Sequence, residues 1–160
     1  MNENINILVV DDNQENLKVV SNFLKEKKYK IALATDGESA FKVLADNKID
    51  LILLDVMMPG MDGFSVCRIL KSKNETKEIP IIFLTALNDT DDIVKGFQIG
   101  GVDYITKPFR KEELYARVNN HIQLKLVRDT LVACELNTRK TRDYFIKTLY
   151  ELGQIIGKNK

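Results

Sequence analysis

Two cysteines and one histidine in 160 residues leave this chain little material for a metal staple or a disulfide framework. Cys67 and Cys134 have neither CxxC nor zinc-site spacing, so they read as small apolar residues of a reducing cytosol. No apolar run is long enough to span a bilayer, and Met1–Asn6 is polar with no signal-peptide core. A cytoplasmic protein without a membrane partner is therefore expected. No GxGxxG follows the first strand-like run and no GxxxxGK[ST] occurs anywhere, which removes support for those two kinds of nucleotide fold. Repeats and low-complexity segments are absent as well. The net charge of +1 supplies no global field for nucleic acid, and direct DNA binding is not expected.

Hydrophobic residues make up 44% of the chain and charged residues 29%, enough to bury a core without covalent staples. The charge is uneven: residues 124–160 carry net +4 and residues 1–123 net −3, a mildly acidic globule with a basic tail. Short apolar runs at Ile5–Val10, Lys30–Thr35, Asp50–Leu54, Pro80–Leu84 and Val102–Thr106 read as strands. Between them lie helical patterns at Gln14–Lys27, Gly37–Asp46, Phe64–Lys71 and Asp89–Ile99, with a fifth from Arg110 onwards. Asp12 or Asn13 can cap the first helix, and Gly100-Gly101 stops the fourth. Pro59, Gly60 and Gly63 make Met57–Gly63 a loop. Strict β-α alternation repeated five times predicts an α/β fold, a doubly wound five-stranded parallel sheet with helices on both faces.

In such sheets ligands bind beyond the carboxyl ends of the strands. Those ends carry Asp11 and Asp12 from the first strand, Asp55 from the third, Thr85 from the fourth and Lys107 from the fifth. Two carboxylates ~5 Å apart repel by roughly 3 kcal/mol at an effective dielectric near 20. Three gathered together call for a cation or raised pKa values. A hard divalent ion such as Mg²⁺ takes one or two carboxylates and leaves room for phosphate oxygens. Lys107 is a point charge suited to a phosphoryl oxygen, and Thr85 can donate a hydroxyl to another. Asp55 then reads as a carboxylate nucleophile that forms an acyl phosphate. Taken singly, Asp12 is equally a helix cap, and Thr85 or Lys107 a structural strand end; the constellation carries the reading.

Four segments bear a resemblance that covers about Asn4–Gln123. They are Val9-Val10-Asp11-Asp12, Leu54 through Gly63 (LDVMMPGMDG), Thr85-Ala86, and Asp103 through Phe109 (DYITKPF). In this order and spacing they resemble the receiver domain of two-component response regulators, of the chemotaxis single-domain type with its flavodoxin-like fold. The resemblance implies that Asp55 accepts phosphate from a histidine kinase or phosphotransfer protein. It implies Mg²⁺ held by Asp12, Asp55 and the backbone carbonyl of Met57, with Asp11 assisting directly or through water. Thr85 would move toward the phosphoryl group, with Tyr104 as the aromatic switch residue that swings inward. Ala86 would leave space for the phosphoryl group, and Pro108 would follow a cis peptide. Val102 stands where many members have Ala. The reading surface implied is about Asp89–Gln123. His121, near the end of the fifth helix, is expected to be solvent-exposed and no phosphodonor.

From residue 124 the chain runs without proline, and without glycine until Gly153. Leu124, Val127, Leu131, Cys134, Thr138, Thr141, Phe145, Thr148, Leu152 and Ile155 follow the alternating three-four rhythm of a coiled coil. A second register, Phe145, Leu149, Leu152 and Ile156, competes near the end. A 124–160 extension that dimerises or relays a signal is expected, the competing arrangement being a helix folded back on its own receiver. Arg142–Leu152 is faintly similar to a histidine-kinase dimerisation helix but has no usable histidine. A phosphoacceptor switch, not an enzyme with external substrates, is the expected function. The alternatives are a receiver fragment of a hybrid kinase, cyclase or sensor, a coiled-coil adaptor, and an aspartate-based phosphatase. The last is disfavoured because Met57 stands where such enzymes commonly have a second acid.

Overall fold

A computed structural model describes residues 4–86 and 90–157, without the side chains of 152, 153 and 155–157. Residue 89, where the fourth helix was expected to begin, lies outside the described residues. So do the side chains of Leu152, Ile155 and Ile156 in the expected seam. Five strands and five helices alternate as expected. They are β1 (Asn6–Val10), α1 (Gln14–Lys25), β2 (Lys30–Ala34), α2 (Gly37–Asp46), β3 (Leu51–Asp55), α3 (Gly63–Ser72), β4 (Ile81–Thr85), α4 (Thr90–Gln98), β5 (Asp103–Thr106) and α5 (Lys111–Gly157). The strands form one parallel sheet in the order β2-β1-β3-β4-β5. This is the flavodoxin-like α/β fold expected from the sequence, with a long C-terminal helix.

Alternate strand residues feed two separate cores, which is why the inner strands β1, β3 and β4 are buried at nearly every position rather than every second residue. Ile7, Val9, Leu51, Leu53, Ile82, Leu84 and Ile105 face α1 and the first part of α5, meeting Leu17, Val20, Leu24, Leu114, Val118 and Ile122. Leu8, Val10, Ile52, Leu54, Ile81 and Phe83 face the other way, against Ala40 of α2, Phe64, Val66, Cys67 and Leu70 of α3, and Ile93 of α4. Burying a Leu, Ile or Val contributes about 1.5–3 kcal/mol each, so the sheet sandwiched between two helical layers is the stable part of the molecule.

The contacts divide the chain into two compact units, Met1–Ile122 and Gln123–Lys160. The second unit is helical throughout its described length, and Leu124, Val127, Leu131, Leu136, Phe145 and Leu149 are all exposed. Its own support is local. Thr130, Thr138, Thr141 and Thr148 donate their hydroxyls to carbonyls four residues earlier, and Lys125–Asp129 and Glu135–Arg139 pair along the helix. Cys67 is buried and Cys134 exposed, both as free thiols. Among the described residues no helix is long and apolar enough to cross a membrane.

Candidate functional site

Because all five strands run the same way, every strand end named in the sequence lies along one edge. Register then decides which ends are neighbours. Val10 pairs with Leu54, Asp55 with Leu84 and Thr85 with Thr106, so Asp11, Asp55, Thr85 and Lys107 follow one another across the sheet. Asp11, Asp55 and Thr85 are almost completely buried, whereas Asp12 is exposed. Backbone bonds lock the ends together: Val56 N–H donates to the Leu84 carbonyl at 3.0 Å and Lys107 N–H to the Thr85 carbonyl at 2.8 Å.

The Lys107 ammonium sits between two carboxylates, 2.8 Å from Asp11 Oδ2 and 3.0 Å from Asp55 Oδ1. Burial pushes the Asp55 carboxyl up, to about 6. Lys107 and the Met57 N–H (3.3 Å from Oδ1) oppose that shift, while the negative charge of Asp11 adds to it. Burial works against the Lys107 charge, but its bonds to Asp11 and Asp55 outweigh this and raise its pKa. The Lys107–Pro108 peptide is cis.

Asp11 is held further by two residues of the turn into α1. The Asn13 N–H donates to its Oδ1 at 2.9 Å, and the Asn16 side-chain amide reaches both oxygens at 3.2 and 3.1 Å. Asn13, not Asp12, caps α1, accepting the Glu15 N–H at 2.8 Å. The side chain of Asp12 is thus left at the exposed edge of the cluster.

The loop after Asp55 is fixed from its far end. A Cβ on Gly63 would lie 2.1 Å from the Asp55 carbonyl oxygen, so only glycine lets the start of α3 approach the strand end this closely. Its N–H donates to the Val56 carbonyl at 2.9 Å, and Asp62 caps α3 by accepting the Ser65 N–H at 2.7 Å. Met57 protrudes from this loop, 64% exposed. Ala86, just past β4, is also exposed.

Tyr104 is not among the strand-end residues; it lies within β5 and faces the core of α3 and α4. Its hydroxyl lies 3.0 and 3.1 Å from the Asp92 and Ile93 carbonyls of α4, and its ring packs against Phe83 and Phe97, both at 5.3 Å between centroids. The expectation for His121 needs correcting. Its side chain is only 12% exposed and Nε2 lies 3.0 Å from Asp103 Oδ2, because this face of α5 turns toward the start of β5. Arg117, one turn earlier, reaches Asp103 Oδ1 at 2.7 Å and Glu113 at 3.1 Å. Val102 is exposed, at 37%.

Asp11, Asp12 and Asp55 each offer an oxygen within 4.8 Å of the others. An all-oxygen donor set with one exposed member suits a hard, partly hydrated cation.

Residues 7–119 match the family described as the response regulator receiver domain. The response regulator PleD of Caulobacter vibrioides is 42% identical over 134 residues, 84% of this chain and 30% of PleD. The transcriptional regulatory protein RprY of Bacteroides fragilis is 45% identical over 118 residues, 74% of this chain and 49% of RprY. This chain thus spans between about a third and half of these relatives' length. A crystal structure of a putative response regulator from Chloroflexus aurantiacus superposes with a TM-score of 0.71 at 34% identity, covering 74% of this chain and 98% of that one.

Proposed function

This chain belongs to the response regulator receiver family, and from that membership we propose that Asp55 accepts a phosphoryl group from the phosphohistidine of a histidine kinase or phosphotransfer protein. The observation that carries the reading is the placement of one ammonium, Lys107, against two buried carboxylates, Asp11 and Asp55, at the carboxyl edge of a parallel sheet. An Asp55 oxygen attacks phosphorus, the P–N bond to the donor imidazole breaks, and an acyl phosphate forms. Asp11, Asp12, Asp55 and the Met57 carbonyl would hold Mg²⁺, which neutralises charge on the transferring group when bound. Lys107 neutralises a further phosphoryl oxygen, and the Thr85 hydroxyl donates to another. Burial of Asp11, Asp55 and Thr85 keeps bulk water from much of this edge, so the charge of Lys107 acts through a weakly screening medium. Ala86 carries only a methyl group, which leaves room for the phosphoryl group.

The consequence of phosphorylation is a change of surface, not turnover of an outside substrate. Met57 stands two residues past Asp55, where an aspartate-based phosphatase commonly needs its acid, and methionine cannot move a proton. Thr85 and Tyr104 are the switch residues of this reading. The exposed seam of the second unit supports pairing with a second copy, in the cytoplasm, as the means by which the switch is read.

Acetyl phosphate with Mg²⁺ tests the central step. Wild type should gain one phosphoryl mass and Asp55→Asn none; equal labelling of the two would remove Asp55 from the role.

A further inference from the structure

Gly96 lies in the interior of α4, where glycine is among the poorest helix formers. A local choice against propensity inside a regular element asks for a packing reason. The reason is on the other side of the helix–sheet contact. A Cβ on Gly96 would lie 1.7 Å from the Tyr104 hydroxyl oxygen, 2.8 Å from the adjoining ring carbon and 3.1 Å from Phe83. The missing side chain is therefore the space that the Tyr104 phenol fills. Around that space stand the Asp92 and Ile93 carbonyls that its hydroxyl meets, the Phe83 ring beneath and the Phe97 ring beside it.

We infer that Gly96 is a positioning residue for Tyr104: its bare Cα admits the phenol to the inward pose, and any side chain at 96 drives the phenol outward. The contact cannot be relieved by small adjustments, because the Tyr104 ring is confined between two aromatic neighbours and its backbone is paired in β5 with Phe83. Methyl-sized occupancy of the niche and the inward phenol are mutually exclusive. Position 96 then sets the balance between the two poses, independently of anything that happens at Asp55. The term switch for Tyr104 rests on the proposed function above; the exclusion itself rests on the geometry alone.

The test exploits a reversal of sign. In an ordinary helix Gly→Ala is stabilising, since alanine loses less conformational freedom on folding and has the higher propensity. Full-length wild type, Gly96→Ala, Tyr104→Ala and the double variant are melted without phosphodonor or Mg²⁺, and the Tyr104 ring is followed by NMR. Gly96→Ala should lower the melting temperature by roughly 3 °C or more in the wild-type background and raise it in the Tyr104→Ala background. Tyr104→Phe, which removes the atom nearest the new methyl, should recover part of the loss. The Tyr104 ring signals of Gly96→Ala should lose their contacts to Phe83. A shift of the same sign in both backgrounds, or ring contacts unchanged by the alanine, would overturn the inference. Because no phosphodonor is present, failure of the Asp55 assignment leaves this outcome untouched.

Discussion

The Lys107 ammonium lies 2.8 Å from the fully buried Asp11 carboxylate and leans at 3.0 Å on Asp55 as well. One cation thus holds two like charges together. Lys107→Ala should lower the unfolding free energy by about 3 kcal/mol at pH 7 in the presence of a chelator, since it strips a buried charge of its partner. Millimolar Mg²⁺ in place of the chelator should return part of that stability by binding the folded state. Urea midpoints measured both ways check this. An unchanged midpoint in chelator would mean that the pair contributes nothing.

Asp103 contributes one part of the pH dependence of stability. Burial raises the carboxyl pKa, but the Tyr104 N–H, His121 and Arg117 together outweigh it and leave the pKa below the usual carboxylate range. A depressed folded-state pKa means stability that is fully present above the unfolded value, about 4, and lost as the pH falls through the folded value. Wild type should therefore exceed Asp103→Asn by about 1–2 kcal/mol at pH 7, discounted because Arg117 is 40% exposed. The gap should close in acid. Parallel stability curves down to the lowest measurable pH would contradict the assignment.

In the second unit, Leu131 is 65% and Phe145 62% exposed, at positions that share one heptad stripe. Sedimentation of the full chain should give a dimer, and Leu131→Asp should give a monomer while leaving acetyl phosphate labelling of Asp55 intact. A monomeric wild type at tens of micromolar would remove the pairing.

Strand identities and the carboxyl-edge cluster were legible because both follow from local pattern. An apolar run of four residues that stops on a carboxylate announces a buried strand and the group at its tip, as at Leu51–Asp55. Boundaries slipped by a residue where that pattern is blunt. Pro80 and Asp50 were read as the first strand residues, but β4 and β3 begin one residue later, with Pro80 offering only its carbonyl, to Ile52 N–H. Asn16, His121 and Gly96 were not legible as participants. Their partners Asp11, Asp103 and Tyr104 are reached through how a helix is rotated on the sheet, a quantity set by packing rather than by sequence spacing. Asn16 left a faint trace, as an amide one helical turn after the cap. His121 left none, eighteen residues from its carboxylate on another element.

The division of every strand between two cores also governs how this chain can change in length. Side chains in a strand alternate with period two, so a single inserted or deleted residue exchanges the two sets. In β3 it would send Leu51 and Leu53 to the layer built for Ile52 and Leu54, and it would turn the group at the strand tip away from Lys107. Within the buried strands a change of one residue in length is therefore far more disruptive than the same change in a connection between elements.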